Sequence, residues 1–222
     1  MRARGKPARH DVAVLAMHGV VPFDLSIACA VFGHVRLPHG DGYGVRVCGE
    51  APEVRAGAFN LRAPWGLEHV AGAHTVIVPG VSDPTLPVPE PVVEAIRRAA
   101  GAGARVASIC SGAFVLAATG LLDGQRATTH WLVAALLAAR YPAVTVDPDV
   151  LFVDNGRFVT SAGASAGLDM CLHLVRRDHG QAAAARAARL AVAPLERAGG
   201  QAQFIHHEAP ASSASLAPLL DW

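Results

Sequence analysis

Lysine is almost missing from this 222-residue chain, Lys6 standing alone among 19 Lys and Arg residues. That bias, with abundant Ala, Gly and Pro, reads as the codon usage of a GC-rich gene and carries little about function. Charge of one sign is missing as well. Nineteen basic and 18 acidic residues leave a formal net charge of +1, which excludes a domain that grips nucleic acid by its own electrostatic footprint. Cysteines are few and scattered: Cys29, Cys48, Cys110 and Cys171 form no C-x-x-C pair. Neither a zinc site nor a secreted disulfide framework is written into the chain, and a reducing cytoplasm is the expected compartment. No apolar run approaches the roughly 20 residues that cross a membrane. The run from Val12 to Met17 behind the basic N-terminus is too short for a signal-peptide core and is followed by Pro22 and Asp24. A glycine-rich nucleotide fingerprint is also absent, because Gly101-Ala102-Gly103 precedes a strand instead of following one. A soluble protein with no membrane contact, no metal and no cofactor is expected.

What is present is 52% hydrophobic residues. A chain of this length buries roughly 70% of its unfolded surface and needs no staples. Short apolar runs alternate with helix-length segments, the pattern of a mostly parallel sheet covered on both faces. Asp11 to Met17 reads as a first strand and Asp24 to Val35 as the helix after it. Further strands are expected at Tyr43 to Gly49, His74 to Gly80 and Arg105 to Cys110. Helices are expected from Pro91 to the glycines at 101 and 103, from Gly112 to Gly120, from about Ser165 to Asp178 and from about Gln181 to Ala191. Thr128 and Thr129 are suited to cap a helix ending before Pro142. Asn155-Gly156 signals a hairpin within Leu151 to Ser161. No internal repeat is visible. The economical organisation is a flexible leader over residues 1–10, one α/β domain over 11–208 and a Pro/Ala/Ser linker over 209–222. Leu219-Leu220-Asp221-Trp222 is an apolar fragment with nothing to pack on, as expected of a chain that continues into another domain.

The sharpest candidate for chemistry is Cys110, where a strand runs into a helix with almost no linker. Such a corner lifts its residue to the carboxyl edge of the sheet, where open α/β folds bind ligands. The helix start favours a thiolate and offers N–H groups to a developing oxyanion, and Gly112 lets the turn close without a clashing Cβ. The plain alternative is a small buried hydrophobe. Asp24 belongs to the same edge and suits a general acid and base, or merely a helix N-terminal acid. His130, behind Ala127-Thr128-Thr129, is either at the pocket or a capped surface histidine. Gly163-Ala164-Ser165-Ala166-Gly167 matches the serine-hydrolase elbow G-x-S-x-G in letters, but follows a hairpin strand. Ser165 is better read as an N-cap, with the glycines permitting close helix packing. His206-His207-Glu208 lacks any partner cluster and is read as coincidence, neither a metal site nor part of a triad with Cys110.

The segments FDLSIACAVF, VIVPG, ASICSGAFVLAATGLLDGQRATTHW, RFVTSAGASAGLDMCLHLV and GGQAQFI resemble the PfpI/ThiJ superfamily, whose fold is that of class I glutamine amidotransferases. Within it the chain is similar to the N-terminal domain of AraC-type transcriptional regulators. The likeness spans Asp11 to Trp222; Cys110 to Trp131 is its most specific block, and Gly199-Gly200-Gln201-Ala202-Gln203-Phe204 is the piece tied to the regulators. It implies a flavodoxin-like, doubly wound sheet with a nucleophile-elbow Cys. The implied function is a ligand-sensing and dimerising domain whose pocket is bordered by Asp24, Gly80, Cys110, Ser111 and His130. A small-molecule effector and homodimerisation are implied, with DNA met only through a helix-turn-helix domain absent from this chain.

The alternative is an enzyme of the isocyanide hydratase type, which shares the Cys-x-Gly elbow, the Ala-Thr-Thr-His-Trp stretch and an Asp in the first loop. Carried over, Cys110 would be the nucleophile and Asp24 the acid and base, with N–H donors near Gly80 and Ser111. Ser111 stands where protease-like members carry His, which argues against a Cys-His pair, and where the hydratases carry Thr. Pro79-Gly80-Val81 replaces a more common Pro-Gly-Gly turn. A third reading, an oxidant sensor, would need a low thiol pKa at Cys110.

Overall fold

The computed structural model describes residues 9–205 with the exception of His39. Residues 1–8 of the leader expected over 1–10, the His206-His207-Glu208 cluster and the 209–222 linker lie outside the described residues, and His10, expected in the leader, already belongs to the first strand.

In chain order the central elements are β1 (His10–Ala16), α1 (Pro22–Gly33), β2 (Tyr43–Gly49), β3 (Trp65–Gly66), β4 (Thr75–Val78), α2 (Glu90–Gly101), β5 (Arg105–Ile109), α3 (Gly112–Ala118), α4 (Ala134–Arg140), β6 (Phe152–Asp154), β7 (Phe158–Ser161), α5 (Ser165–His179) and α6 (Gln181–Leu190). The strands form one seven-stranded sheet in the order β6-β7-β5-β4-β1-β2-β3. Every neighbouring pair is parallel except the β6–β7 hairpin, whose turn holds Gly156 at φ +84°.

The apolar runs build this sheet because both of its faces are buried. Val12, Val14 and Ala16 of β1 face one core, with Ile77, Ala107, Ile109 and Val159, under α1, α5 and α6. Ala13, Leu15 and Met17 face the other, with Val76, Val78 and Val106, under α2 and α3. The expected doubly wound architecture with helices on both faces is thus the observed one. Among the described residues no helix is long and apolar enough to cross a membrane.

Strand order reverses between β1 and β4. The chain leaves β1 toward β2 and β3 and returns on the opposite side as β4, so the loops at the carboxyl ends of β1 and β4 diverge and leave a crevice. A bridge between Val20 and Val81 and the bond from Val21 N–H to the Gly80 carbonyl (2.8 Å) tie these loops together across it.

At the opposite end of the sheet Arg105 pairs with Asp178 at 2.6 Å, and the Tyr43 hydroxyl donates to the same carboxylate at 2.8 Å. Burial alone would push the Asp178 carboxyl up; Arg105 and Tyr43 overcome it and hold the group below its ordinary range. This clasp fastens the end of α5 to the sheet.

Three expectations need correction. A hairpin of Glu53–Ala56 with Phe59–Arg62 and the short edge strand β3 were not anticipated. Thr128 and Thr129 cap no helix: both are fully buried, and a 3-10 turn over Trp131–Val133 precedes α4, capped by the His130 ring, which accepts from Leu132 N–H. Ser165 is not an N-cap either. It is the first residue of α5, and Ala164 holds the cap position without a side-chain bond.

Candidate functional site

Four loops meet at the carboxyl edge of the sheet, those after β1, β4, β5 and β7. The loop after β5 is only Cys110 and Ser111, because α3 starts at Gly112. The Cys110 φ of +57° is a conformation that non-glycine residues seldom adopt. The backbone is held there by Cys110 N–H donating to the Ser161 carbonyl (3.0 Å) and by the Thr129 hydroxyl donating to the Cys110 carbonyl (2.8 Å). Gly112 makes the corner possible: a Cβ on it would lie 2.2 Å from the Val78 carbonyl oxygen.

Asp24 reaches the corner from α1. It lies on the same stripe as Ala28 and Val31, four and seven residues on, which faces the core, so its carboxylate points inward and is 1% exposed. Oδ2 accepts from Gly80 N–H at 3.2 Å and Oδ1 from Ala164 N–H at 3.3 Å. The Cys110 thiol beside it also favours the charged form of this carboxylate. Gly80 is where the groups converge: a Cβ there would stand 2.5 Å from Asp24 Oδ2, 3.1 Å from Cys110 Cβ and 3.1 Å from Ser111 Oγ.

Of the five residues expected to border a pocket, Asp24, Gly80, Cys110 and Ser111 therefore meet. The Ser111 hydroxyl donates to the Val81 carbonyl (2.6 Å) and accepts from Val81 N–H (2.8 Å), and so clamps the loop after β4. The Gly80 N–H, expected as an oxyanion donor, is committed to Asp24. His130 is the outlying member. It lines a groove of about 230 Å³ with Trp131, Ala164, Gln201 and Phe204, and that groove meets the corner at Gly163. Burial lowers the pKa of His130, which keeps its ring neutral.

Gly163 and Ala164 were missed as site residues. A Cβ on Gly163 would lie 2.8 Å from Cys110 Sγ, and Ala164, at φ +47°, aims its N–H at Asp24. The signal was available: the Gly-Ala-Ser turn follows a strand and opens a helix, so it belongs on the same sheet edge as Cys110. Beyond Ala164 lies an apolar groove of about 380 Å³ between α1, α5 and α6, lined by Phe23, Ile27, Val31, Leu168 and Leu190.

Burial pushes the Asp24 carboxyl up to about 6, against the two N–H donors and the thiol that favour its charged form. Burial, and then the negative charge of Asp24, push the Cys110 thiol up to about 11. The helix start was expected to favour a thiolate, and the surroundings do the reverse: α3 has only seven residues, and desolvation outweighs it. Near neutral pH the proton stays on sulfur and the charge on Asp24. The oxidant-sensor reading loses its premise.

Raising the thiol pKa from 9 to about 11 cuts the thiolate fraction at pH 7.5 about 100-fold, and the greater nucleophilicity of a more basic thiolate returns about tenfold. Cys110 is expected to react with iodoacetamide about tenfold more slowly than a free cysteine peptide, and faster in Asp24→Asn. Mass-spectrometric timing of the Cys110 peptide checks this; a rate equal to the free peptide's contradicts the assignment.

Comparison with known proteins agrees with this geometry. The DJ-1/PfpI family model matches residues 10–177. The HTH-type transcriptional regulator GbdR of Pseudomonas aeruginosa is 39% identical over 79 residues, 36% of this chain and 21% of the regulator. The isonitrile hydratase of Pseudomonas putida is 40% identical over 87 residues, 39% of this chain and 37% of the enzyme. The chain thus spans a minor part of each of these two relatives. Among solved structures, an AraC family transcriptional regulator from Pseudomonas putida superimposes with a TM-score of 0.72 at 19% identity, over 82% of this chain and 99% of that one. At that identity the likeness speaks for the fold.

Proposed function

The chain belongs to the DJ-1/PfpI family, and on that premise we propose that it is the ligand-sensing and dimerising domain of an AraC-type transcriptional regulator. The observation that carries this reading is the similarity to the HTH-type regulator GbdR. The domain would extend over 11–208, with 209–222 as the linker to a helix-turn-helix part that contacts DNA. A small-molecule effector would sit at the corner of Asp24, Gly80 and Cys110, held below by Ser111, with His130 bordering the adjoining groove. Asp24, ionised near neutral pH beside a protonated thiol, suits recognition of a donor or cationic group. An effector that binds one dimer arrangement better than another shifts the population by that difference in affinity, and the dimer would carry two DNA-reading units to paired half-sites.

A thermal-shift screen of small polar metabolites, paired with analytical ultracentrifugation, tests the proposal. A dimer is expected, with at least one compound raising Tm by about 4 °C or more in the wild type and by much less in Asp24→Asn. A monomer, or equal shifts in both proteins, overturns it.

The similarity to isonitrile hydratase favours a second reading, in which Cys110 attacks the isocyanide carbon and Asp24 manages the proton. The thiol held near 11 weighs against it, since the attacking species is scarce at neutral pH unless Asp24 takes the proton during the step. Turnover of an isocyanide panel, abolished in Cys110→Ser, would favour the enzyme; inactivity of both proteins removes it.

A further inference from the structure

We propose that Gln201 is a latch that reports the state of the Cys110 corner to the chain segment behind it. The inference deepens the sensing reading above, naming how the site is read out. Gln201 is polar yet only 3% exposed. Its Oε1 accepts from Trp131 N–H at 2.9 Å, and its Nε2 donates to the Thr129 carbonyl at 2.9 Å and to Thr128 Oγ1 at 3.3 Å. Its own N–H donates to the Asp149 carbonyl at 2.7 Å. Thr129, in turn, donates through its hydroxyl to the carbonyl of Cys110 at 2.8 Å. Residues 110, 129 and 201 are far apart in the chain, and two hydrogen bonds join them in series.

The backbone is built to seat this side chain. Gly199 takes φ +96°, and Gly200 runs so close to the loop before β6 that a Cβ would lie 1.8 Å from the Asp149 carbonyl oxygen. One 3-10 turn, Ala202–Phe204, then leads to Ile205, the last described residue. At the other end of the path, Cys110 holds a strained backbone conformation at φ +57°. A group bonded to Sγ, or pressed against it, biases that backbone, and the carbonyl on which Thr129 rests moves with it.

A buried amide stripped of one partner carries an unmet polar group, so a half-released Gln201 is disfavoured. The latch is therefore two-state. Either Gln201 keeps its bonds to Thr128, Thr129 and Trp131, or it leaves the site together with residues 199–205. Such an element, biased from the Cys110 end, is what coupling between a pocket and a following segment requires.

Hydrogen exchange on the full 222-residue chain tests the latch without DNA or effector, so its outcome is separate from that of the regulator reading. Cys110 is capped with methyl methanethiosulfonate: the thiolate attacks the sulfenyl sulfur, an S–S bond forms and methanesulfinate leaves. Exchange at the amides of Gln201, Phe204 and Ile205 is expected to accelerate about tenfold or more. Cys110→Ala, treated identically, should show no change. In Gln201→Leu these amides should exchange fast from the start, with no further response to the reagent. A side chain that merely fills space would give the loosening in Gln201→Leu without any response in the capped wild type. Exchange in the capped wild type within about twofold of the free thiol overturns the proposal, as does slow exchange in Gln201→Leu. The wild-type comparison involves no variant, so the proposal stays falsifiable if Gln201→Leu folds poorly.

Discussion

The Gly112→Ala variant is expected to be about 3 kcal/mol less stable than the wild type, at the upper end of what overpacking a well-filled interior costs. The reason is where the added Cβ would go. It would lie 2.2 Å from the Val78 carbonyl oxygen, 2.7 Å from that of Pro79 and 3.0 Å from the Pro79 carbonyl carbon. All three are backbone atoms at the end of β4, which is hydrogen-bonded on both sides, to β1 and β5. A flexible side chain can give way by a few tenths of an ångström; the middle of a parallel sheet cannot. The strain should also reach the site, because Gly80, whose N–H holds Asp24 Oδ2, follows directly on Pro79. Gly101→Ala is the control. No atom lies within 4 Å of a Cβ there, and the substitution should be neutral or stabilising by about 0.5–1 kcal/mol. Urea denaturation of the two variants beside the wild type measures the contrast. A Gly112→Ala protein within about 0.5 kcal/mol of the wild type would show that α3 does not press on β4.

What could be read ahead of the structure follows from which forces are local. Strands buried on both faces must be apolar throughout, so Val12 to Met17 and Thr75 to Val78 announce themselves. Cys110 was placed at the sheet edge because a strand and a helix with no linker between them leave only one position for the residue at the join. The hairpin over residues 53–62 hides because Val54 and Ala56 are its fully buried residues, too few for a clear alternation. Thr128 and Thr129 have the chemistry of helix caps. Their hydrogen bonds go instead to Thr160, Cys110 and Gln201, partners 19 to 73 residues away that no local pattern reveals. Gln201 was visible only as part of a familiar segment; its task depends on the backbone of residues 128–131. The protonation of the site was the least legible feature. A helix start can be read from the sequence, whereas desolvation is a property of the packed molecule, and here desolvation decides the pKa of both Asp24 and Cys110.

The Asp24→Asn variant should gain on the wild type, by about 2.5 kcal/mol, as pH rises from 4 to 7. Burial raises the Asp24 carboxyl from 3.8 to about 6 in the folded protein. Below about pH 3 the group is protonated in both the folded and the unfolded chain and makes no difference. Between 4 and 6 the unfolded chain has released the proton while the folded one retains it, so the folded state binds more protons and loses stability as pH rises. Above about 7 both are ionised and the loss is complete, near 3 kcal/mol for a shift of about two units at about 1.36 kcal/mol each. The wild type alone would not isolate this effect. Burial lowers His10 to about 4, so His10 contributes stability that is present above its unfolded value and lost as pH falls, the opposite slope over the same range. Subtracting the two proteins' stabilities at each pH removes His10, which both share, and leaves Asp24. The Cys110 thiol, held near 11, stays protonated across the whole window. Denaturant unfolding at half-unit steps from pH 4 to 8 gives the difference curve. A rise centred between pH 4 and 6 that flattens by about 7 is the expected form. A difference independent of pH would mean that Asp24 is not desolvated as its burial implies, and that the proton at the corner is not held between this carboxylate and the Cys110 thiol.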